Sequence, residues 1–232
     1  MANTARSIGI GRATLAGEVR SEIERMIVDG DLRAGEKLNE LALSSAMGVS
    51  RGTVREAIRS LADSGLIDLV ANRGAFVHET TLDELRNLYD LRGAIFGLAC
   101  ASAARRVADG SEPGLAKELE ANLNQMRKAH VDENTRKYFA LNIEFHSMLI
   151  AAAGNPKAKT IYENLVKEVR LYRRRGLSIA NNVARSIEEH DAIVTAVAEG
   201  NAEAARVAAE KHITAGLERY MQLLKQDEDA GR

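Results

Sequence analysis

The stretch Gly48-Val49-Ser50-Arg51-Gly52-Thr53-Val54-Arg55-Glu56-Ala57-Ile58-Arg59-Ser60-Leu61 constrains the fold more tightly than any other part of the chain. Val54, Ala57, Ile58, Leu61 and Ala62 recur at helical spacing and give one face to bury, while Arg51, Arg55 and Arg59, four residues apart, line its flank. Gly48 suits a sharp turn after a preceding helix, read over Glu40–Met47. Ser50 or Thr53 caps the helix that follows, Thr53 as a capping box with Glu56. Two helices joined so tightly have helix-turn-helix spacing, and the arginine stripe along the second reaches phosphates and guanine edges. Taken alone, such a stripe is equally a solvated face.

The residues that follow favour the DNA-reading alternative. Gly65 ends the helical pattern, then Leu66–Val70 and Ala75–His78 read as two short strands joined through Ala71-Asn72-Arg73-Gly74. That is a β-wing whose tip exposes a guanidinium and a pliant backbone, suited to a minor groove or a phosphate.

Three segments resemble the GntR family of transcriptional regulators: Ile27 to Leu38, Val49-Ser50-Arg51 with Val54-Arg55-Glu56-Ala57, and Asn72-Arg73-Gly74-Ala75-Phe76-Val77. The resemblance implies that Ser50, Arg51, Thr53 and Arg55 contact DNA, with Asn72, Arg73 and Gly74 completing the footprint; Arg59 continues the stripe. Gly52 departs from the family, where many members carry threonine; glycine offers no hydroxyl to a phosphate and weakens the helix start.

Charge confines any DNA contact to local placement. Formal net charge is −1, and the first 78 residues hold ten Lys plus Arg against ten Asp plus Glu, which excludes a protein that coats nucleic acid by bulk attraction. At 232 residues with 45% apolar content the chain has material for two small domains; 4% aromatic and only two prolines make it mostly helical. The single cysteine, Cys100, stands in an apolar helical run and reads as core. No segment has signal-peptide or membrane-span character, so the expected location is the cytoplasm.

The expected fold class is mainly α: a flexible tail over 1–13, a winged helix-turn-helix over 14–79, and an all-helical effector-binding and dimerisation domain over 80–232. Thr81 caps a helix to about Asp109, and Pro113 stands in the first turn of one over Glu112–His130. Others are read over Asp132–Ala153, Pro156–Gly176, Val183–Glu199 and Ala202–Gln226, with stops at Gly154-Asn155-Pro156 and Gly200-Asn201.

Three of the five histidines interrupt apolar stripes on three different helices. His146 lies among Tyr138, Leu141, Phe145 and Leu149, His190 between Ile187 and Val194, and His212 among Ala205, Ala208, Ala209 and Ile213. One such histidine is more often a satisfied core residue than a ligand; three repeat the signal. Asn142, one turn before His146, brings an oxygen to the same side. Three imidazoles and an oxygen suit zinc, nickel, cobalt or manganese, with positions left for water or an anion.

Leu141 to His146, Ala153 to Pro156, Glu189 to Ile193, and Gly200 to Ala205 followed by His212 resemble the C-terminal (FCD) domain of the FadR subfamily. Its metal-binding branch uses an aspartate and three histidines, which fall on Asn142, His146, His190 and His212. An amide in place of the carboxylate removes a negative charge and makes an external anion more useful as a ligand. The resemblance implies a small effector, often a carboxylate, and a homodimer binding an inverted-repeat operator in double-stranded DNA.

Leu88, Leu91, Ile95 and Leu98 read as the core stripe of their helix, which sets Arg92 at the edge of the buried face, either as an anion's partner or in a salt bridge. In the basic cluster Arg170, Arg173, Arg174 and Arg175, Arg170 is the one expected to turn inward toward an effector. The chain carries no recognised catalytic signature and is read as a regulator, not an enzyme. A direct metal sensor, or a histidine-metal hydrolase with Glu144, Glu188 or Glu189 as base, are the alternatives.

Overall fold

Short polar side chains set where the first helices begin. Thr14 Oγ1 accepts from Gly17 N–H at 3.1 Å to start α1 (Leu15–Asp29), Asn39 Oδ1 accepts from Leu41 and Ala42 to start α2 (Glu40–Met47), and Ser50 Oγ accepts from Thr53 N–H to start α3 (Arg51–Ala62). Ser50 is therefore the cap of α3; Thr53 stands in its first turn, its hydroxyl 2.9 Å from Ser50 Oγ, and forms no capping box with Glu56. The computed structural model describes residues 14–176 and 180–229, side chains at 28, 29, 170–176, 180, 181 and 227–229 excepted. The tail read over 1–13 lies outside these.

Helix α1, which no sequence motif marks, buries Val19, Ile23 and Ile27 at four-residue spacing against α3. Helix α3 buries Val54, Ala57, Ile58 and Leu61, the expected face. Strands β1 (Ile67–Val70) and β2 (Gly74–Val77) pair antiparallel, with Ile67 opposite Val77 and Val70 opposite Gly74. Asn72 at the tip takes φ 60°, a conformation asparagine tolerates better than most residues.

From Thr81 onward the described residues form a second compact unit of six helices: α4 (Leu82–Ala108), α5 (Leu115–Val131), α6 (Thr135–Ala152), α7 (Pro156–Gly176), α8 (Ala180–Ala198) and α9 (Ala202–Asp229). Thr81 caps α4 in a full capping box with Glu84. Helix α4 packs along α9, which also receives α7 and α8, while α5 lies against α6 and α8. Their shared core includes Phe96, Cys100, Leu119, Leu123, Phe145, Leu149, Ile193, Val197 and Ile213. No helix among the described residues is long and apolar enough to cross a membrane.

Three local expectations are corrected. Pro113 precedes α5 instead of standing in its first turn, because Asp109 Oδ1 accepts from Ser111 N–H and holds the chain in a turn until Gly114. Glu133 takes φ 53°, which delays α6 to Thr135 behind its cap Asn134. The third concerns α4, whose buried face runs through Leu85, Tyr89, Arg92, Phe96, Cys100 and Ala103. Leu91 and Leu98 are 49% and 44% exposed, and Leu88 and Ile95 are only partly covered. Arg92 thus lies within the buried face, while Leu91 and Leu98 are left exposed and Leu88 and Ile95 pack at the edge of the core.

Two glycines separate backbone strain from crowding. Gly48, between α2 and α3, has φ 64° with open space where a Cβ would stand; Gly200, between α8 and α9, has φ 69° and a Cβ there would lie 2.7 Å from Ala108 Cβ. Gly48→Ala is expected to cost about 1–2 kcal/mol, the left-handed penalty alone, and Gly200→Ala distinctly more. Urea denaturation of the two variants measures this, and equal losses would contradict it.

Candidate functional site

The candidate DNA-reading surface is formed by α3 and the wing. Ser50, Arg51, Arg55 and Arg59 are exposed along α3, Thr53 is half-buried, and Asn72, Arg73 and Gly74 are exposed at the tip of the β1–β2 turn. Arg73 lies over the Phe76 ring, 5.6 Å from its centroid, which braces the tip guanidinium without burying it.

Glu40, a residue no motif singles out, is central to this surface. Arg55 donates to its carboxylate through Nη2 at 2.8 Å and Nε at 3.3 Å, and Arg51 Nη2 stands 3.9 Å away. Hydrogen bonding from Arg55 holds the Glu40 carboxyl below its ordinary range, and the same bond raises Arg55. Two of the three stripe arginines are therefore gathered on one acid from α2, while Arg59 acts on it only at longer range. The signal available in the sequence was an acid at the first position of α2, whose end faces α3.

The second site lies inside the helical unit. His146 from α6, His190 from α8 and His212 from α9 are all buried, and one ring nitrogen from each lies within 4.8 Å of the others. Their Nδ1 atoms are all engaged. His190 Nδ1 donates to the Ser186 carbonyl at 2.6 Å; His212 Nδ1 donates to Glu189 Oε2 at 2.8 Å; His146 Nδ1 shares a 2.8 Å bond with the Tyr162 hydroxyl. A ring whose Nδ1 carries its proton has its lone pair on Nε2, and outer-sphere partners of this kind orient metal-ligating histidines.

His146 Nε2 and His212 Nε2 are 3.2 Å apart, so one of them carries the proton of that bond. Since Glu189 accepts at His212 Nδ1, the neutral arrangement has the proton on His146 Nε2 and Tyr162 donating to His146 Nδ1. Phe96 stacks on His146 with centroids 4.4 Å apart, and Phe145 meets His190 edge-on at 4.6 Å. These rings fix the imidazole planes.

A buried charge network surrounds the histidines. Glu189 spends its second oxygen on Arg219, 2.6 Å from Nη1, and Arg219 is 3% exposed. Arg92 is 2% exposed, lies 5.6 Å and 5.5 Å from the Tyr89 and Tyr162 ring centroids, and donates through Nη2 to the Tyr162 hydroxyl at 3.1 Å. Its Nε has no hydrogen-bond partner, and no carboxylate pairs with it among the described residues. The expected alternative of a salt bridge for Arg92 is not what those residues form.

Asn142 is buried on α6 one turn before His146, in a polar layer with Tyr138, whose phenol is pushed up by burial. Of the acids weighed as bases, Glu189 is committed to His212 and Arg219, and Glu144 accepts from Asn122 at 3.3 Å. The side chain of Arg170 lies outside the described residues. Tyr162, Arg219 and Ser186 were not found from the sequence. Arg219 does stand seven residues after His212, on the same buried face, where a charge demands explanation.

The donor set fits a divalent cation of borderline character: three imidazoles whose outer nitrogens are anchored, drawn from three helices, and a buried amide beside one of them. Such an arrangement suits holding an anion against a metal.

Residues 15–77 match the bacterial regulatory proteins of the gntR family, and residues 87–215 match the FCD domain. The HTH-type transcriptional repressor RspR of Escherichia coli is 30% identical over 207 residues, covering 89% of each chain. A probable D-xylose utilization operon transcriptional repressor of Paenarthrobacter nicotinovorans is 28% identical over 216 residues, covering 92% of each. Among solved structures, E. coli McbR/YncC shares the fold with a TM-score of 0.72 at 18% identity, covering 93% of this chain and 99% of that one. A GntR regulator from Rhodococcus does so at 0.68 and 23%, covering 90% and 97%. The head and the helical unit together show that this chain belongs to the GntR family of DNA-binding transcriptional regulators, not enzymes, and carries an FCD domain behind its winged helix-turn-helix.

Proposed function

We propose that the protein is a cytoplasmic repressor of the FadR subfamily, which binds an inverted-repeat operator as a homodimer and is controlled by a small carboxylate held at a divalent metal. The observation that carries this reading is the buried cluster of His146, His190 and His212 beside Arg92, a guanidinium with no carboxylate partner among the described residues. An unpaired buried cation is costly, and a bidentate carboxylate is its natural complement.

His146, His190 and His212 would hold the metal, with Asn142 supplying an oxygen; zinc is the favoured ion, nickel, cobalt and manganese being compatible with the donors. When bound, the metal supplies a Lewis-acidic centre with positions open to an anion. The chain's own residues do the rest: Ser186, Glu189 and Tyr162 aim the imidazoles, Arg219 donates to the second oxygen of Glu189, and Arg92 draws the anion in. Effector binding shifts the helical unit between two arrangements and so changes how well two linked heads fit successive major grooves.

Helix α3 enters the groove, with Ser50, Arg51, Thr53, Arg55 and Arg59 toward DNA and Asn72, Arg73 and Gly74 on the flanking backbone or minor groove. Glu40 keeps Arg51 and Arg55 extended together until phosphates or guanines compete for them. The second copy covers the 88-91-95-98 stripe of α4, whose spacing of three and four is that of a helix-helix seam.

The test is operator affinity, measured by fluorescence anisotropy on a fragment selected from DNA around the gene, with zinc and a carboxylate panel and again after chelation. A carboxylate that changes affinity only with metal present supports the reading; a response to metal alone identifies a metal sensor instead. Arg55→Ala is expected to lose roughly 1–3 kcal/mol of operator binding and relax preference at one base pair, whereas Arg73→Ala weakens all sequences alike and lowers the salt slope by about 1. Leu91→Glu with Leu98→Glu is expected to give a monomer in light scattering with at least tenfold weaker operator binding; an unchanged mass would remove α4 from the interface.

A further inference from the structure

The site is short of negative charge, and the shortage specifies what enters it. The three imidazoles are neutral ligands, Asn142 is a neutral amide, and Glu189, the carboxylate bonded to the cluster, is already balanced by Arg219 at 2.6 Å. Arg92 adds a full positive charge that no described carboxylate offsets. The most deeply buried polar and charged residues include two arginines and neither an aspartate nor a glutamate.

A divalent cation among these histidines would therefore bring the buried charge to about +3, counting the metal and Arg92 and treating Glu189 with Arg219 as neutral. A carboxylate ligand at position 142 would remove one of these charges; the amide removes none. Accumulating like charge away from water is among the most expensive arrangements a protein can hold. The metal by itself is thus a poor guest, and a dianion by itself leaves one negative charge beyond the one Arg92 offsets. Each makes the site acceptable to the other.

Resting on the metal reading above, we infer that the effector is a short dicarboxylate, one group on the metal and the other on Arg92, and that Asn142 makes metal and effector bind as a coupled pair. Two separate positive centres explain the preference for two separate anionic groups. Arg92 is linked to His146 through a single intervening hydroxyl, Arg92 Nη2 to Tyr162 at 3.1 Å and Tyr162 to His146 Nδ1 at 2.8 Å, which suits a short spacer between them. The coupling is reciprocal: whatever factor the dianion adds to zinc affinity, zinc adds to the dianion's.

Isothermal titration calorimetry of the full-length protein tests this at buffered free zinc, in chloride and with acetate, butyrate, malonate, succinate, glutarate or inorganic phosphate. At least one dicarboxylate is expected to tighten zinc binding tenfold or more, with monocarboxylates giving less than threefold. Asn142→Asp is expected to bind zinc more tightly in chloride and to lose most of the coupling. Arg92→Gln keeps zinc binding but loses the preference for two carboxylates. Zinc affinity that is the same with and without every anion overturns the coupling and leaves the metal reading standing. Phosphate matching the best dicarboxylate overturns the two-centre assignment. Absence of zinc binding under all conditions overturns the metal reading itself, and the coupling with it.

Discussion

Each histidine of the cluster has its Nδ1 held by a different outer partner, a carbonyl on its own helix, a carboxylate and a phenol, and the arrangement of α6, α7, α8 and α9 depends on satisfying all three. Glu189 on α8 receives both His212 and Arg219 from α9, while Tyr162 on α7 joins His146 on α6 to Arg92 on α4. The polar network therefore runs through every helix of the second unit except α5. A buried network of this kind is costly when only partly satisfied, and among the described residues Arg92 and Arg219 each keep an Nε without a hydrogen-bond partner, Arg92 without a carboxylate as well. A ligand that completes it acts on the packing of several helices at once, which is what an effector site requires.

Electrostatics at the other end of the chain follow a different economy. The surface proposed to read DNA is exposed, and with a net charge of −1 the chain gains nothing from bulk attraction to a polyanion. In the reading proposed above, binding rests on a few placed guanidinium groups, two of which share Glu40. That acid trades some attraction for order: it holds long, flexible side chains near one position and reduces the entropy lost when they meet phosphate or base. It also raises the cost of a wrong contact, since Arg55 must give up a bidentate partner to make it.

Features with a local cause were legible from the sequence. The cap at Thr81, the turn at Gly48 and the wing around Asn72 each follow from what single residues prefer, and the structure forms them where expected. The histidines were legible because a polar residue on an apolar stripe stands out, and three on three helices repeat the signal. What failed was anything that needed to know which side of a helix meets the core. Leu88, Leu91, Ile95 and Leu98 look like the buried stripe of α4, yet Leu85, two aromatics at 89 and 96, and small residues at 100 and 103 fill that role. An exposed apolar stripe is indistinguishable by periodicity from one buried in the chain's own core. Glu40, Tyr162 and Arg219 were missed because their partners lie 15 to 70 residues away in the chain. Pro113 failed for a smaller reason, an Asx turn at Asp109 that postpones the helix.

The account rests on His146, His190 and His212 acting as ligands and not merely as a satisfied core. X-ray absorption at the zinc edge of the zinc-loaded, full-length protein reads the coordination sphere directly. Three imidazole nitrogens at about 2.0–2.1 Å together with oxygen donors are the predicted result. A sphere of oxygen alone, or one that is unaltered in His190→Ala, would place the metal elsewhere and leave the three histidines as core residues.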